Sequence, residues 1–174
     1  DNTAGRQAQF MEVRYRRLFE SAKDGILILN AETGMVMEAN PFIAGLLGYS
    51  IEDMREKYIW DLGSFRNIAA NKEKFLELQR YDYVRYEDLP LEAVDGKKIH
   101  VEFVSNAYLE GEIRVIQCNV RDITARKAVE AQVRQLSLAV EQSSESIIIT
   151  NTDAQIEYVN PAFLNETGYS RDEI

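Results

Sequence analysis

The chain holds one cysteine, Cys118, and one histidine, His100, and this bounds its chemistry at once. A lone Cys makes no intrachain disulfide and no Cys-based zinc site. A lone His removes His-rich metal sites and any catalytic set that needs two imidazoles. Paired acids such as Glu87-Asp88 sit in strand or turn contexts, where a solvated surface is the expected role. No Gly-x-Ser-x-Gly elbow, phosphate-binding loop or dinucleotide fingerprint occurs. Catalysis by this stretch of chain is therefore not expected.

The elements that carry these residues are three long strands. Tyr83 to Val94 leads to Lys97 to Leu109 through Asp95-Gly96, a favoured two-residue hairpin turn. Glu110-Gly111 then leads to the strand Glu112 to Arg121. Pro90 lies in the first of the three, and proline is tolerated there only at a sheet edge or bulge, so that strand is placed at an edge. Alternation gives one apolar face made of Leu89, Leu91, Ala93, Ile99, Val101, Phe103, Ile116, Cys118 and Val120. His100 alternates with Ile99 and Val101, so it points to the opposite face, with Glu92, Glu102, Gln117 and Asn119. Val104 and Val115 interrupt that polar face. Cys118 on an apolar face behaves as a small hydrophobe.

Upstream, residues 6 to 22 read as a helix with a loose apolar stripe of Phe10, Val13, Leu18 and Ala22. Gly25 to Asn30 is a buried strand, Thr33-Gly34 a turn, and Met35 to Ala39 the returning strand. Short helices follow from Pro41 to Gly63. A longer helix is predicted over 67–80, with Ile68, Phe75, Leu76 and Gln79 at helical spacing. From Ile123 to Gln142 the pattern is helical again. Val129, Val133, Leu136 and Val140 there follow 4-3-4 spacing, which reads as a short coiled-coil seam. A sheet with one apolar face and helices packed on it is an α+β fold.

The chain also repeats itself. Asn40-Pro41 and Gly48-Tyr49-Ser50 recur as Asn160-Pro161 and Gly168-Tyr169-Ser170, 120 residues later. Gly25 to Asn30 pairs with Ser146 to Asn151, with one residue deleted at the turn. A period this long is a whole domain followed by the opening of a second, and residues 143–174 are read as a truncated second copy. Asn40 suits a helix N-cap, Pro41 the first helical position, Gly48 a left-handed helix end and Ser50 the next N-cap. Ser50 with Asp53, and Ser170 with Glu173, have near capping-box spacing.

Composition narrows the setting. The chain has 174 residues, 45% apolar, with 29 acids against 20 bases and a net charge of −9. Such a field repels polyanions, so neither nucleic acid nor an anionic membrane surface is an expected partner, and for want of a long apolar run direct membrane insertion is not expected either. No apolar run approaches the roughly 20 residues of a membrane-spanning helix. The opening Asp1-Asn-Thr-Ala-Gly reads as a cut from a longer chain, without a signal-peptide pattern. The absence of a disulfide fits a cytoplasmic location.

Strand-turn-strand, Asn-Pro, Gly-Tyr-Ser, Asp-Gly, and Asp122-Ile123-Thr124 ahead of a charged helix together resemble a PAS sensory domain. The resemblance covers residues 14–124. It leaves 1–22 as an N-terminal helix or linker, 125–142 as a signalling linker helix and 143–174 as the start of a second PAS domain. It implies a five-stranded antiparallel sheet with helices over one face, often around a pocket. It also implies a sensory or dimerising module of a bacterial signalling protein, of histidine kinase or cyclic-di-nucleotide enzyme type. The flavin branch of the family needs a Cys in the helical segment after Gly-Tyr-Ser, which here reads Arg55 to Leu62 without one, so a covalent flavin adduct is not expected. Haem PAS domains supply an axial His from the long helix, and 66–80 contain none, so His-ligated haem is not expected. Two readings remain. In one, a small organic ligand sits between sheet and helix, lined by Leu91, Val101, Phe103, Cys118 and Val120, with Phe75 and Trp60 across from them. In the other, the domain is a ligand-free homodimer that relays a shift of the sheet to a downstream effector, with Asp122 and Thr124 as the junction.

Overall fold

The computed structural model describes residues 2–65 and 72–174. The chain divides into two compact units, 1–124 and 125–174. The first unit opens with helix α1 (Asn2–Ser21) and then builds an antiparallel sheet from β1 (Gly25–Asn30), β2 (Val36–Ala39), β3 (Tyr83–Glu92), β4 (Lys98–Glu110) and β5 (Ile113–Asp122). Spatial order is β2-β1-β5-β4-β3, so the Pro90 strand is at the edge, as its missing N–H requires. Between β2 and β3 lie α2 (Pro41–Leu47), α3 (Ile51–Met54), two 3₁₀ turns (Ile59–Asp61 and Gly63–Phe65) and α4 (Lys72–Arg80). Ile68, predicted on the face of α4, lies outside the described residues.

Local chemistry sets the helix ends. The Asn40 side chain accepts from the Ile43 amide, Pro41 takes the first turn, and Gly48 closes α2 at φ 82°. Ser50 caps α3 by accepting from the Asp53 amide at 3.0 Å. Gly34 turns β1 into β2 at φ 77°, and a Cβ there would stand 2.5 Å from the Trp60 ring, so only glycine fits.

The inner sheet face carries the core. Leu27, Leu29, Leu91, Ile99, Val101, Phe103, Ile116, Cys118 and Val120 are buried in one cluster with Ile43, Leu47, Met54, Leu62, Phe65 and Phe75. Alternation in β4 and β5 is what delivers them to one side. The outer face is not uniformly polar. Val115 is fully buried there, in register with Tyr108 on β4 and Asn30 on β1, and Ile28 is nearly so. The unit also carries ion pairs: Arg85 on β3 to Glu102 on β4 at 3.0 Å, and Arg121 on β5 to Asp24 at 2.8 Å.

The second unit contains most of helix α5 (Thr124–Glu141), a two-stranded ladder of β6 (Ile148–Thr150) and β7 (Ile156–Val159), and helix α6 (Pro161–Thr167). Asn160 and Gly168 cap α6 as Asn40 and Gly48 cap α2, with Gly168 at φ 77°. Helix α5 has no buried residue, and Val129, Val133 and Leu136 are each about 60% exposed. Their seam therefore has no partner within its own unit.

Candidate functional site

The sheet register assembles the expected pocket residues on one surface. Phe103 stands opposite Val120, and Leu89 opposite Val101. Leu91, Val101, Phe103, Cys118, Val120 and Phe75 all belong to the buried cluster, and Trp60 packs against its edge. Trp60 is held by its aromatic neighbours. It stacks on Tyr58 at 4.9 Å and meets Phe75 edge-on at 5.4 Å. This end of the lining is thus occupied by ring-on-ring packing.

One residue that the sequence reading passed over sits at the centre of this face. Ser105 is 2% exposed, between Val84 on β3 and Cys118 on β5. Among the described residues its hydroxyl has no hydrogen-bond partner. Ala107 lies two positions along, opposite Ile116. Ser105, Ala107 and Cys118 make the middle of the inner face small and, at Ser105, polar. The alternation Val101-x-Phe103-x-Ser105-x-Ala107 was a usable signal for it. Cys118 is fully buried and desolvation pushes its thiol well up, so it stays a neutral thiol.

His100 lies on the outer face, as expected. Its Nδ1 is 2.8 Å from Asp88 Oδ1, where β3 bulges between Tyr86 and Leu89. The ring is therefore turned away from the core, and the residues present do not fit a His-ligated haem inside it. They do not fit a flavin–cysteine adduct either, because Cys118 projects from β5 rather than from the helical segment before α4.

The main chain of His100 does something its side chain does not. Its N–H donates to Thr124 Oγ1 at 3.0 Å, and its carbonyl accepts from the Ile123 amide at 2.8 Å. Asp122 Oδ1 accepts from the Thr124 amide at 2.9 Å. Asp122 and Thr124 thus join the end of β5 to the start of α5, and both ends of that junction are hydrogen-bonded to β4 or to each other. A groove of about 510 Å³ opens elsewhere in the unit, between α1 and the β2–α2–α3 segment, lined by Tyr15, Phe19, Glu38, Pro41, Ile51 and Arg55 among others.

A five-stranded antiparallel sheet with helices on its inner face, followed by a helix bonded to β4 at its start, is an α+β domain. The PAS domain family matches residues 13–82 and again residues 144–174. The chain belongs to the PAS family, with one PAS domain and part of a second. It is 30% identical over 155 residues to the oxygen sensor protein DosP of Escherichia coli (strain K12), matching 86% of this chain. The match spans only 19% of that relative's length. Among solved structures, the PAS domain of an HTR-like protein from Haloarcula marismortui aligns with a TM-score of 0.60 and 20% identity, covering 71% of this chain and all of the other. A domain of a sensory box sensor histidine kinase/response regulator from Geobacter sulfurreducens aligns at 0.56 and 23% identity, covering 66% and 96%. Both share the fold. The chain is a sensory signalling module, and none of the helices among the described residues is long and apolar enough to cross a membrane.

Proposed function

We propose that residues 14–124 sense a signal and pass their state to α5, as one cytoplasmic module of a longer histidine kinase or cyclic-di-nucleotide enzyme. The bond set from His100 to Ile123 and Thr124 carries this reading. The helix starts on hydrogen bonds to β4 and on the buried Ile123 just before it, and α5 itself buries no side chain. A slide of β4 therefore changes the partners of the first helical residue, which is how a small sheet shift becomes a helix rotation. Residues 125–142 act as the linker and 143–174 as the opening of the next copy. Similarity to an oxygen sensor and to a histidine kinase domain supports a sensory role. The test is Thr124→Val, followed by amide hydrogen exchange. Faster exchange at His100 and through the first turn of α5 is expected; unchanged exchange there would remove the junction from the mechanism.

The signal itself is a small organic molecule on the inner face, with one polar group placed to hydrogen-bond Ser105. The buried, unpartnered hydroxyl favours this reading, since leaving such a group unpaired costs about 1–3 kcal/mol. Native mass spectrometry should find a bound organic mass that Ser105→Ala depletes, while the same variant raises the melting temperature of the empty protein. No bound mass, together with a destabilised variant, would refute it.

The alternative is a ligand-free homodimer. Phe10, Val13 and Leu18 on α1 and the Val129–Val133–Leu136–Val140 seam are its contact residues, and all but Val140 are more than half exposed. Light scattering that stays at one chain mass at high concentration counts against it.

A further inference from the structure

Asn40 and Asn160 are more than helix caps. Each is fully buried, and each uses all of its amide. Asn40 Oδ1 accepts from the Ile26 amide at 2.9 Å and the Ile43 amide at 3.2 Å. Its Nδ2 donates to the Asp24 carbonyl at 2.9 Å and the Phe19 carbonyl at 3.2 Å. Asn160 repeats this set: Oδ1 accepts from Ile147 at 2.9 Å and Phe163 at 3.1 Å. Its Nδ2 donates to Glu145 at 2.8 Å and Val140 at 3.2 Å.

Phe19 and Val140 occupy equivalent places. Each lies in the last turn of the helix that enters its copy, α1 or α5. The last four carbonyls of a helix have no partner inside it. So one asparagine satisfies the end of the incoming helix, the start of the first strand and the start of the following helix together. A second tie accompanies it. Tyr15 on α1 donates to Glu38 on β2 at 2.8 Å, and Tyr158 on β7 donates to Glu141 on α5 at 2.5 Å. The pair is the same with its members exchanged between helix and strand.

We propose that each copy grips its incoming helix through this asparagine, so that α5, latched by Thr124 and clamped by Asn160, is a two-ended coupler between the copies. Asn160 is thus a positioning residue for signal transfer, with Tyr158 as its auxiliary. The proposal rests on the reading of Asp122–Thr124 as the signal junction. In the whole chain, Thr124→Val should lower exchange protection in the β6–β7 ladder by at least about five-fold, the low end of couplings between sites. With Asn160→Ser, which can still cap α6 but is too short to span from α6 to the helix end, the Thr124→Val effect on that ladder should vanish. Tyr158→Phe keeps the cap and the fold and should shrink the same response, so it decides the matter if Asn160→Ser unfolds the second unit. A ladder that responds equally with and without these side chains overturns the clamp. So does a response that reaches the first turn of α5 but not the ladder, an outcome that leaves the junction reading standing. No response even in that first turn removes both.

Discussion

The two copies share their bonds and differ in their burial. Asn40 and Asn160 make the same four hydrogen bonds, and Gly48 and Gly168 end their helices in the same left-handed conformation. Yet Leu27 and Ile28 are 0% and 7% exposed, while their equivalents Ile148 and Ile149 are 47% and 46% exposed. The caps form within one short helix, and the other three bonds of each asparagine close over 13 to 21 positions, across a helix end, strand and turn that both copies possess. Burial of a strand needs partners on both sides, and β1 has β2 and β5 where β6 has β7 alone. The turn between the first two strands differs in the same way. Gly34 is pinned beneath Trp60, whereas Ala154 adopts φ 63° at an exposed position.

The largest expected break in this comparison is Asn40→Ala. It removes a cap and leaves buried backbone groups unpaired, for a loss of about 3 kcal/mol in the first unit. Denaturant unfolding read by Trp60 fluorescence should shift to a lower midpoint for Asn40→Ala and stay put for Asn160→Ala. A shift with both would mean that the copies unfold as one. Gly34→Ala comes next. A Cβ 2.5 Å from Trp60 at positive φ should cost about 2 kcal/mol, while Ala154→Gly should relieve strain by about 1 kcal/mol. Opposite signs in calorimetry support the difference in the turns; equal signs erase it. Ser50→Ala should cost about 1 kcal/mol through loss of the α3 cap. Ser170→Ala should cost less, because its bonds lie at an exposed end where the Ser170 amide and hydroxyl both donate to Glu173 and hold that carboxyl below its usual range.

The smallest effect is set by pH. Burial, with the hydrogen bond to Glu38, raises the Tyr15 pKa above the usual phenol value near 10. The neutral form is the one favoured in the folded state. Its contribution is therefore complete below about pH 10 and is lost as pH climbs through the raised, folded-state value. For Tyr158 the hydrogen bond to Glu141 is the leading cause and burial the lesser one. The Tyr15 shift is the larger of the two, so the tie on α1 should outlast the tie on α5 as pH rises, with both phenols neutral between pH 6 and 9. Ultraviolet titration of Tyr15→Phe and Tyr158→Phe separates the two phenols, and a lower midpoint for Tyr15 would contradict this order.

Much of the fold was legible along the chain. The edge position of the Pro90 strand and the inward alternation of β4 and β5 each follow from residues a few positions apart. The apolar face was legible for the same reason, down to Cys118. The Asp95-Gly96 turn, read as two residues, is instead a three-residue loop, Val94 to Gly96, closed by the Ala93 amide on the Lys97 carbonyl with Gly96 left-handed at its end, and the second turn is Gly111-Glu112. What escaped was every interaction whose partner is remote. Val115 looked like a break in a polar face and is fully buried beside Tyr108 and Asn30. Asn40 read as a cap, which is the one of its four bonds that lies within three residues. Its hold on Phe19 reaches back 21 positions.

The sequence by itself determined the strands, their inner face, the caps, the repeat and the family, because these depend on period, turn chemistry and side-chain type. Only the tertiary structure decided that Ser105 is buried without a partner, that the main chain of His100 holds Thr124, and that one asparagine joins three elements. Those depend on strand register and on hydrogen bonds between distant backbone groups. Nearly every residue carries such groups, so no residue type announces them.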